Sequence, residues 1–342
     1  MTSRKHTLQA RVLEHCRITG AFDGCKRALV AVSGGADSMV LLDCLNTGRS
    51  ALGLEIVVAH VDHGLRETSD SDRRFVLKKA AEWGLEAVFR KVDVASVSKA
   101  RKLSIEDAAR RVRYAAFAEM AAETGADLIA TGHTATDQAE TVLMRMIRGT
   151  GPLGLGGIAP ARPDGLVRPL LCATRNEVRR YADRHSIEFR DDPTNLDRRF
   201  LRNRVRLDLL PMLTRMNPRV EFTLSELAGS AGDLASWIER LAAGMIRLKD
   251  SGELGIEASD LNTCDAALLP YVILLAFKGV TGAPLGLSRT HIDSIIRMIR
   301  TKGGNKEYHL PRGVTVCRNA DGLWFLKDTT LKGRRGSMSQ NR

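Results

Sequence analysis

VAVSGGADSMVLL (Val30–Leu42) runs from an apolar strand pattern through a tight Ser-Gly-Gly-Ala-Asp-Ser turn into an apolar helix pattern. Strand, glycine-rich turn and helix in succession aim backbone N–H groups and a helix N-terminus at an anion. Gly34 and Gly35 suit positive φ and leave room for a phosphate to approach the backbone, and Ser33 and Ser38 add hydroxyl donors. Asp37 is the discordant residue, because a carboxylate beside a triphosphate repels it. A bridging Mg2+ turns that repulsion into attraction. The loop lacks the lysine of the Walker pattern and the G-x-G-x-x-G spacing of dinucleotide folds. Its plain alternative is an ordinary strand-to-helix turn that happens to hold two glycines.

Outward from the loop, strand and helix patterns alternate. Ala28–Val32 reads as a buried strand and Ser38–Leu45 as a helix, followed by a strand at Leu54–His60 and a helix at Thr68–Trp83. Glu86–Val92 is a third strand. Ser104–Glu123 is a long helix opened by Ser104-x-x-Asp107, which resembles a capping box. Ala126–His133 is a fourth strand, with a helix after it to about Ile147. This alternation predicts an α/β doubly wound parallel sheet.

The glycine- and proline-rich Gly149–Pro160 marks a loop at the end of that sheet. RPLL (Arg168–Leu171) resumes as an extended segment, and Thr174–Ser186 makes an amphipathic helix. Beyond about Pro218 the chain turns to alanine- and leucine-rich helices. It closes with Glu307–Leu326, which alternates like a small strand hairpin or meander. The expected organisation is a catalytic domain over 1–217, a helical region ending in a small α+β subdomain over 218–330, and a basic disordered tail over 331–342.

Lys and Arg outnumber Asp and Glu 52 to 40 in 342 residues, a net charge of +12. That excess favours a polyanionic partner, nucleic acid first and an anionic membrane surface second, against general solubility as the plain reading. The six cysteines are scattered without a C-x-x-C or a His/Cys cluster at metal-ligand spacing. This argues for a reduced, cytoplasmic protein without structural zinc or an iron–sulfur cluster. No apolar run reaches the ~18 residues of a membrane span, and the first residues lack a signal-peptide core.

SGGADS resembles the signature of the PP-loop ATP pyrophosphatases. In order along the chain come HVDHGLR (His60–Arg66), GHTATDQAETVLMR (Gly132–Arg145) and DPTNLDRRFLRNRVRLDLLPML (Asp192–Leu213). Together with the loop, they resemble the tRNA(Ile)-lysidine synthetase family within that superfamily. EDAARRVRY (Glu106–Tyr114) and RPLL resemble further motifs of it. The resemblance is strong over Arg27–Leu213 and looser beyond. It implies that the loop grips the β- and γ-phosphates of ATP while a substrate atom attacks the α-phosphate, so a lysine for γ-phosphoryl transfer is not expected. It implies a tRNA(Ile) with a CAU anticodon, adenylated at the C2 oxygen of its wobble cytidine, and free L-lysine as the second substrate. ATP and Mg2+ are the implied cofactors. Ser33, Gly34, Gly35, Ala36, Asp37, Ser38, His60 and His133 are the implied nucleotide contacts, with Asp37 toward the metal.

Asp137, Glu140 and Thr141 share one helical face at i, i+3, i+4, where two carboxylates suit a lysine ammonium and one suits its proton. A solvated helical face is the plain alternative, and which carboxylate acts as base stays open. The family commonly shows two adjacent aspartates where this chain has Thr136-Asp137. Arg110 and Arg113, on one side of their helix with Tyr114 and Phe117, suit an α-phosphate or the target cytidine, against a surface helix with snorkelling arginines. His60 and His63 lack further ligands for zinc, and His133 either meets nucleotide or caps the next turn. Arg168, Arg175, Arg179, Arg180, Arg184, Arg190, Arg198, Arg199, Arg202 and Arg204 make an arginine-rich region suited to an RNA backbone, against a solvated charge run. Within it Asn203, Arg204 and Arg206 are matched to the family's Arg-Asn-x-x-Arg pattern as substrate contacts. The C-terminal part is implied to recognise tRNA, and a homodimer is left open. The rival readings are a tRNA cytidine 2-thiolating relative, a PP-loop enzyme of small metabolites, and a catalytically silent tRNA-binding protein.

Overall fold

The computed structural model describes residues 7–62, 69–191, 196–250, 252–282, 286–301 and 304–327. His63, Arg66, Asp192 and the tail over 331–342 lie outside them. The chain divides into two compact units, Met1–Gly232 and Asp233–Arg342. The division falls inside a long helix, Val220–Gly244.

The first unit is built on five parallel strands: β1 (Arg27–Ala31), β2 (Glu55–Asp62), β3 (Glu86–Lys91), β4 (Leu128–Ala130) and β5 (Leu166–Val167), in the order β3-β2-β1-β4-β5. In register, Leu29 of β1 faces Val57 of β2 and Ile129 of β4. Because helices cover both faces, β1 and β2 are buried almost without alternation. On one face α1 (Leu8–Ile18), α2 (Ala36–Leu52) and α7 (Arg175–Arg184) share a core with Val30 and Val58 through Val12, Met39, Leu42, Leu45, Val178 and Tyr181. On the other, Ala116, Phe117 and Met120 of α5 (Ile105–Thr124) pack on Leu29, Ala31, Val57 and Ala59. Each such fully buried Leu or Met contributes roughly 1.5–3 kcal/mol. The strand order reverses between β1 and β4, so the crevice for a ligand opens at their carboxyl ends.

The expected doubly wound sheet is thus present, with local differences. The fourth strand is three residues long, not eight. Ala126 and Asp127 precede it, and after Thr131, whose N still donates to the Val167 carbonyl at 3.0 Å, the chain turns away at Gly132 to pass the start of α2. A Cβ on Gly132 would stand 3.1 Å from the Asp37 carbonyl. RPLL is not extended: Leu166–Val167 pairs with β4, and Pro169 opens a single 3-10 turn over Pro169–Cys172. Helix α3 (Ser69–Glu82) was legible, but α4 (Val94–Arg101) and α1 were not foreseen. After α6 (Ala135–Arg148), the segment α8 (Leu201–Arg204), a π turn (Val205–Leu209) and α9 (Leu210–Met216) pack on it through Ala139, Leu143, Val205 and Leu210.

Helix α10 (Val220–Gly244) leads into the second unit, where β6 (Arg247–Leu248), β7 (Leu254–Glu257), β8 (Lys306–Leu310), β9 (Val314–Asn319) and β10 (Gly322–Lys327) form an antiparallel sheet. α11 (Ala258–Thr263) follows β7 directly. α12 (Leu269–Thr281) and α13 (Arg289–Arg300) pack Val272, Phe277 and Ile295 on Val316, Leu323 and Phe325. This is the small α+β subdomain the alternation predicts, and β8-β9-β10 is its meander.

Candidate active site

The Ser33–Ser38 turn is held by its own hydroxyls. Ser33 N donates to Ser38 Oγ at 3.1 Å, and Ser38 Oγ donates to the Gly35 carbonyl at 2.9 Å. Gly34 has φ 91°, a left-handed conformation that favours glycine, and its carbonyl accepts from Arg190 N at 2.9 Å. Gly35 does not take positive φ. At −76° it is the N-cap of α2 and supplies no side-chain cap, so the helix start at Ala36 presents backbone donors. His60 is buried at the end of β2, its Nδ1 2.8 Å from the Val32 carbonyl, and so ties that strand to the loop's first residues.

Asp37 lies in the first turn of α2. Its Oδ2 accepts from Arg175 Nε at 3.2 Å, whereas Oδ1 is buried without a partner. Burial pushes this carboxyl above its ordinary range, and the Arg175 charge only partly offsets that. An orphaned carboxylate oxygen at a phosphate loop fits a divalent cation, which Asp37 would hold.

Helix α6 starts one residue before Thr136 and is capped by Thr134, not by His133. Thr134 N and Oγ1 both donate to Asp137 Oδ2 at 2.9 Å, and Asp137 N donates back to Thr134 Oγ1 at 3.3 Å. One Asp137 oxygen is therefore committed to the cap. The other accepts Arg175 Nη2 at 3.1 Å and Arg202 Nη2 at 2.9 Å. One turn on, Glu140 is 0% exposed and accepts Arg206 at 2.5 and 3.0 Å, Arg202 Nε at 2.7 Å and Arg175 Nη1 at 3.4 Å. Burial alone would raise the Asp137 carboxyl, but Arg175 and Arg202 outweigh it and hold it below the usual carboxylate range. Reciprocally, the Arg175 guanidinium is raised, because Asp137, Asp37 and Glu140 overcome its desolvation.

Three carboxylates thus meet three guanidiniums, and Arg175 touches all three acids. This brings together Asp37, Asp137, Glu140 and Arg206 as expected, from α2, α6 and the π turn. Arg204 is a correction: it is exposed, and Arg202, four residues before Arg206, occupies the first arginine of the Arg-Asn-x-x-Arg pattern. Asn203 is buried and donates to the Asp197 carbonyl at 2.9 Å, steadying the turn before α8.

In the sequence Arg175 and Arg202 belong to the arginine-rich region suited to an RNA backbone. The local signal for Arg175 was Thr174-x-x-Glu177, whose reciprocal capping box makes Arg175 the first residue of α7. Its backbone N donates to Thr136 Oγ1 at 2.9 Å, and that hydroxyl donates in turn to Glu221. The threonine at 136 therefore sits beside a carboxylate from α10. His133 Nδ1 lies 3.0 Å from Thr131 Oγ1. Its ring is pushed down to about 4 by burial, with Asp137 opposing and Arg168, Arg113 and Arg202 reinforcing the shift. Arg110 and Arg113 do not join the carboxylates; they flank the Tyr114 ring. Cys16, Cys25 and Cys172 have thiols pushed up to about 12, 11 and 11, burial being the main cause, and Cys44 is raised likewise.

A glycine-shaped loop at the head of a helix, beside an acidic pair at the switch point of a parallel sheet, defines the class. Residues 5–213 match the PP-loop domain family, an ATP-binding family, and the chain belongs to it. Among curated proteins it is 37% identical over 314 residues to the tRNA(Ile)-lysidine synthase of Geobacter sulfurreducens, covering 90% of this chain and 66% of that protein. It is 34% identical over 297 residues to the tRNA(Ile)-lysidine synthase of Clostridium acetobutylicum, covering 86% and 64%. The chain thus spans just under two thirds of the length of these relatives. Among solved structures, the U34-tRNA thiolase NcsA of Methanococcus maripaludis is similar with TM-score 0.57 and 19% identity over 66% of this chain and 77% of that one, a likeness of fold. Among the described residues no helix is long and apolar enough to cross a membrane.

Proposed function

We propose that the chain ligates free lysine to C2 of the wobble cytidine of a CAU-anticodon tRNA(Ile). In the first step the cytidine C2 oxygen bonds to the α-phosphorus of ATP and pyrophosphate leaves. In the second the lysine ε-nitrogen bonds to C2, the C2–O bond breaks with AMP as leaving group, and the amine loses its proton. The observation that carries the reading is the Arg175 guanidinium. It spans from Asp37 in the phosphate loop to both Asp137 and Glu140, so the phosphate grip and the cation grip lie within one side chain's reach.

Asp37 would hold Mg2+, whose charge neutralises the phosphate chain. Ser33, Gly34, Gly35, Ala36 and Ser38 offer hydroxyl and backbone donors to the pyrophosphate. Asp137 and Glu140 take the lysine ammonium, where guanidiniums now sit. With three acids balanced by three arginines, an added cation enters only as a guanidinium withdraws. Arg202, 32% exposed against 21% for Arg175 and 18% for Arg206, is the one placed to move. Since Asp137 spends Oδ2 on the helix cap, Glu140 is the base assigned to the attacking amine. The exposed arginines Arg179, Arg184, Arg198, Arg199 and Arg204 suit the RNA backbone, and the C-terminal unit is assigned to tRNA recognition. A cytoplasmic setting follows from that substrate.

The test is incorporation of radiolabelled lysine into CAU-anticodon tRNA with Mg-ATP. Labelled RNA is expected, together with pyrophosphate release that does not require lysine. Folded protein that leaves competent tRNA unlabelled would overturn the proposal.

A further inference from the structure

A second group of guanidiniums, beside the acidic site, meets a single surface acid among the described residues. Arg110, Arg113 and Arg162 lie with their guanidinium carbons 5.3, 5.7 and 5.6 Å from the centre of the Tyr114 ring. Arg168 is 3% exposed; one of its nitrogens donates to the Ala159 carbonyl, while its Nε is buried without a partner. The Tyr114 hydroxyl is buried too and faces the Arg168 guanidinium. Among the described residues no carboxylate pairs with Arg110, Arg113 or Arg168, and Arg162 meets only Asp164 at the surface. Arginines that merely snorkel would carry their charge to solvent, whereas Arg168 keeps its own inside without a carboxylate among the described residues.

We infer that Tyr114, Arg110, Arg113, Arg162 and Arg168 form a phosphate-binding subsite that takes an RNA phosphodiester flanking the reacting cytidine. The inference rests on the tRNA reading above. Forked guanidiniums match phosphate oxygens, the phenol adds a donor, and the ring offers a base a stacking surface. Position separates this phosphate from those of ATP. The loop at the head of α2 serves one face of the sheet, whereas Tyr114 packs with the α5 core on the other. Arg113 also feels the charge of Arg202, which borders Glu140, so the cationic group leads from the exposed Arg110 to the acidic pair. Burial together with neighbouring arginines holds the Arg113, Arg145 and Arg168 guanidiniums below their ordinary range, a cost that a bound anion relieves.

Tyr114→Phe and Arg162→Ala test it, with binding measured to a CAU anticodon stem-loop RNA and separately to Mg-ATP. Arg162→Ala is expected to weaken RNA binding about tenfold and to reduce its salt slope by about one, with ATP binding unchanged. Tyr114→Phe, which keeps the ring, is expected to weaken RNA binding less and to melt like the parent. Both losses should shrink when the phosphates flanking the cytidine are neutral methylphosphonates. Weakened ATP binding with intact RNA binding would assign the cluster to the nucleotide and overturn the inference. Unchanged RNA binding in both variants would overturn it while leaving the tRNA reading intact. Parent protein that binds no RNA would sink both.

Discussion

Glu140→Gln isolates the acid on which all three guanidiniums converge. The substitution keeps the shape and removes the charge. It turns one oxygen, now accepting at 2.5–3.4 Å, into an amide that donates toward N–H groups. Arg175 and Arg202 retain Asp137, which Arg206 approaches at 3.7 Å. Removing one partner of a buried ion pair costs about 3–5 kcal/mol. The arginines are 18–32% exposed, so solvent screening places the effect near the lower end, about 3 kcal/mol. For a unit of this size 1 kcal/mol moves the melting temperature by about 2–4 °C, giving a drop of about 6–12 °C. Calorimetry on the purified chain measures it, with lysine incorporation as the second readout. A melting temperature within about 2 °C of the parent would refute the reasoning, since Glu140 would then not be the counter-charge of the network.

Asp37→Asn should behave oppositely. The folded-state pKa of Asp37 lies above the ordinary carboxylate value, so ionising it costs stability as pH rises above that value. The neutral variant is therefore expected to melt at or above the parent at pH 7 while losing pyrophosphate release; a clear loss of stability would contradict this. His133 has its pKa depressed from 6.5 to about 4, so the unfolded chain binds the proton first as pH falls. Stability should decline between about pH 6.5 and 4 by up to about 3 kcal/mol, and His133→Asn should flatten that limb in acid melts. Thr136→Asp places a carboxylate against Glu221, at a cost on the order of 2–4 kcal/mol. Adding Glu221→Gln should restore the melting temperature, and failure of the pair to couple would remove Glu221 as the reason for threonine here.

Much of the fold was legible because its signals are local. The apolar runs of β1 and β2 announce strands buried on both faces, and Gly34 announces the left-handed turn between β1 and α2. The end of β4 was not legible, since it depends on Gly132 passing the Asp37 carbonyl at close range. The cap of α6 is written locally as Thr134-x-x-Asp137, which commits one Asp137 oxygen to the helix start. Arg202 is legible as the first arginine of Arg-Asn-x-x-Arg, four residues before Arg206; that both reach Glu140 while Arg204 stays exposed is set by the helix and its π turn.

By itself, the sequence determined a PP-loop sheet, the glycine turn at the head of α2, and the acidic pair one helical turn apart on α6. Glycine conformation, hydrophobic period and capping act within a few residues, so they can be read along a line. The tertiary structure alone decided that Arg175, Arg202 and Arg206 close on Asp37, Asp137 and Glu140. It also decided that Arg110, Arg113, Arg162 and Arg168 gather around Tyr114, where among the described residues Asp164 alone pairs with one of them. Both outcomes depend on the strand order β3-β2-β1-β4-β5, which sets residues far apart in the chain around one crevice. Charge carries no periodicity that names its partner, so only the folded geometry separates the neutral cluster from the cationic one.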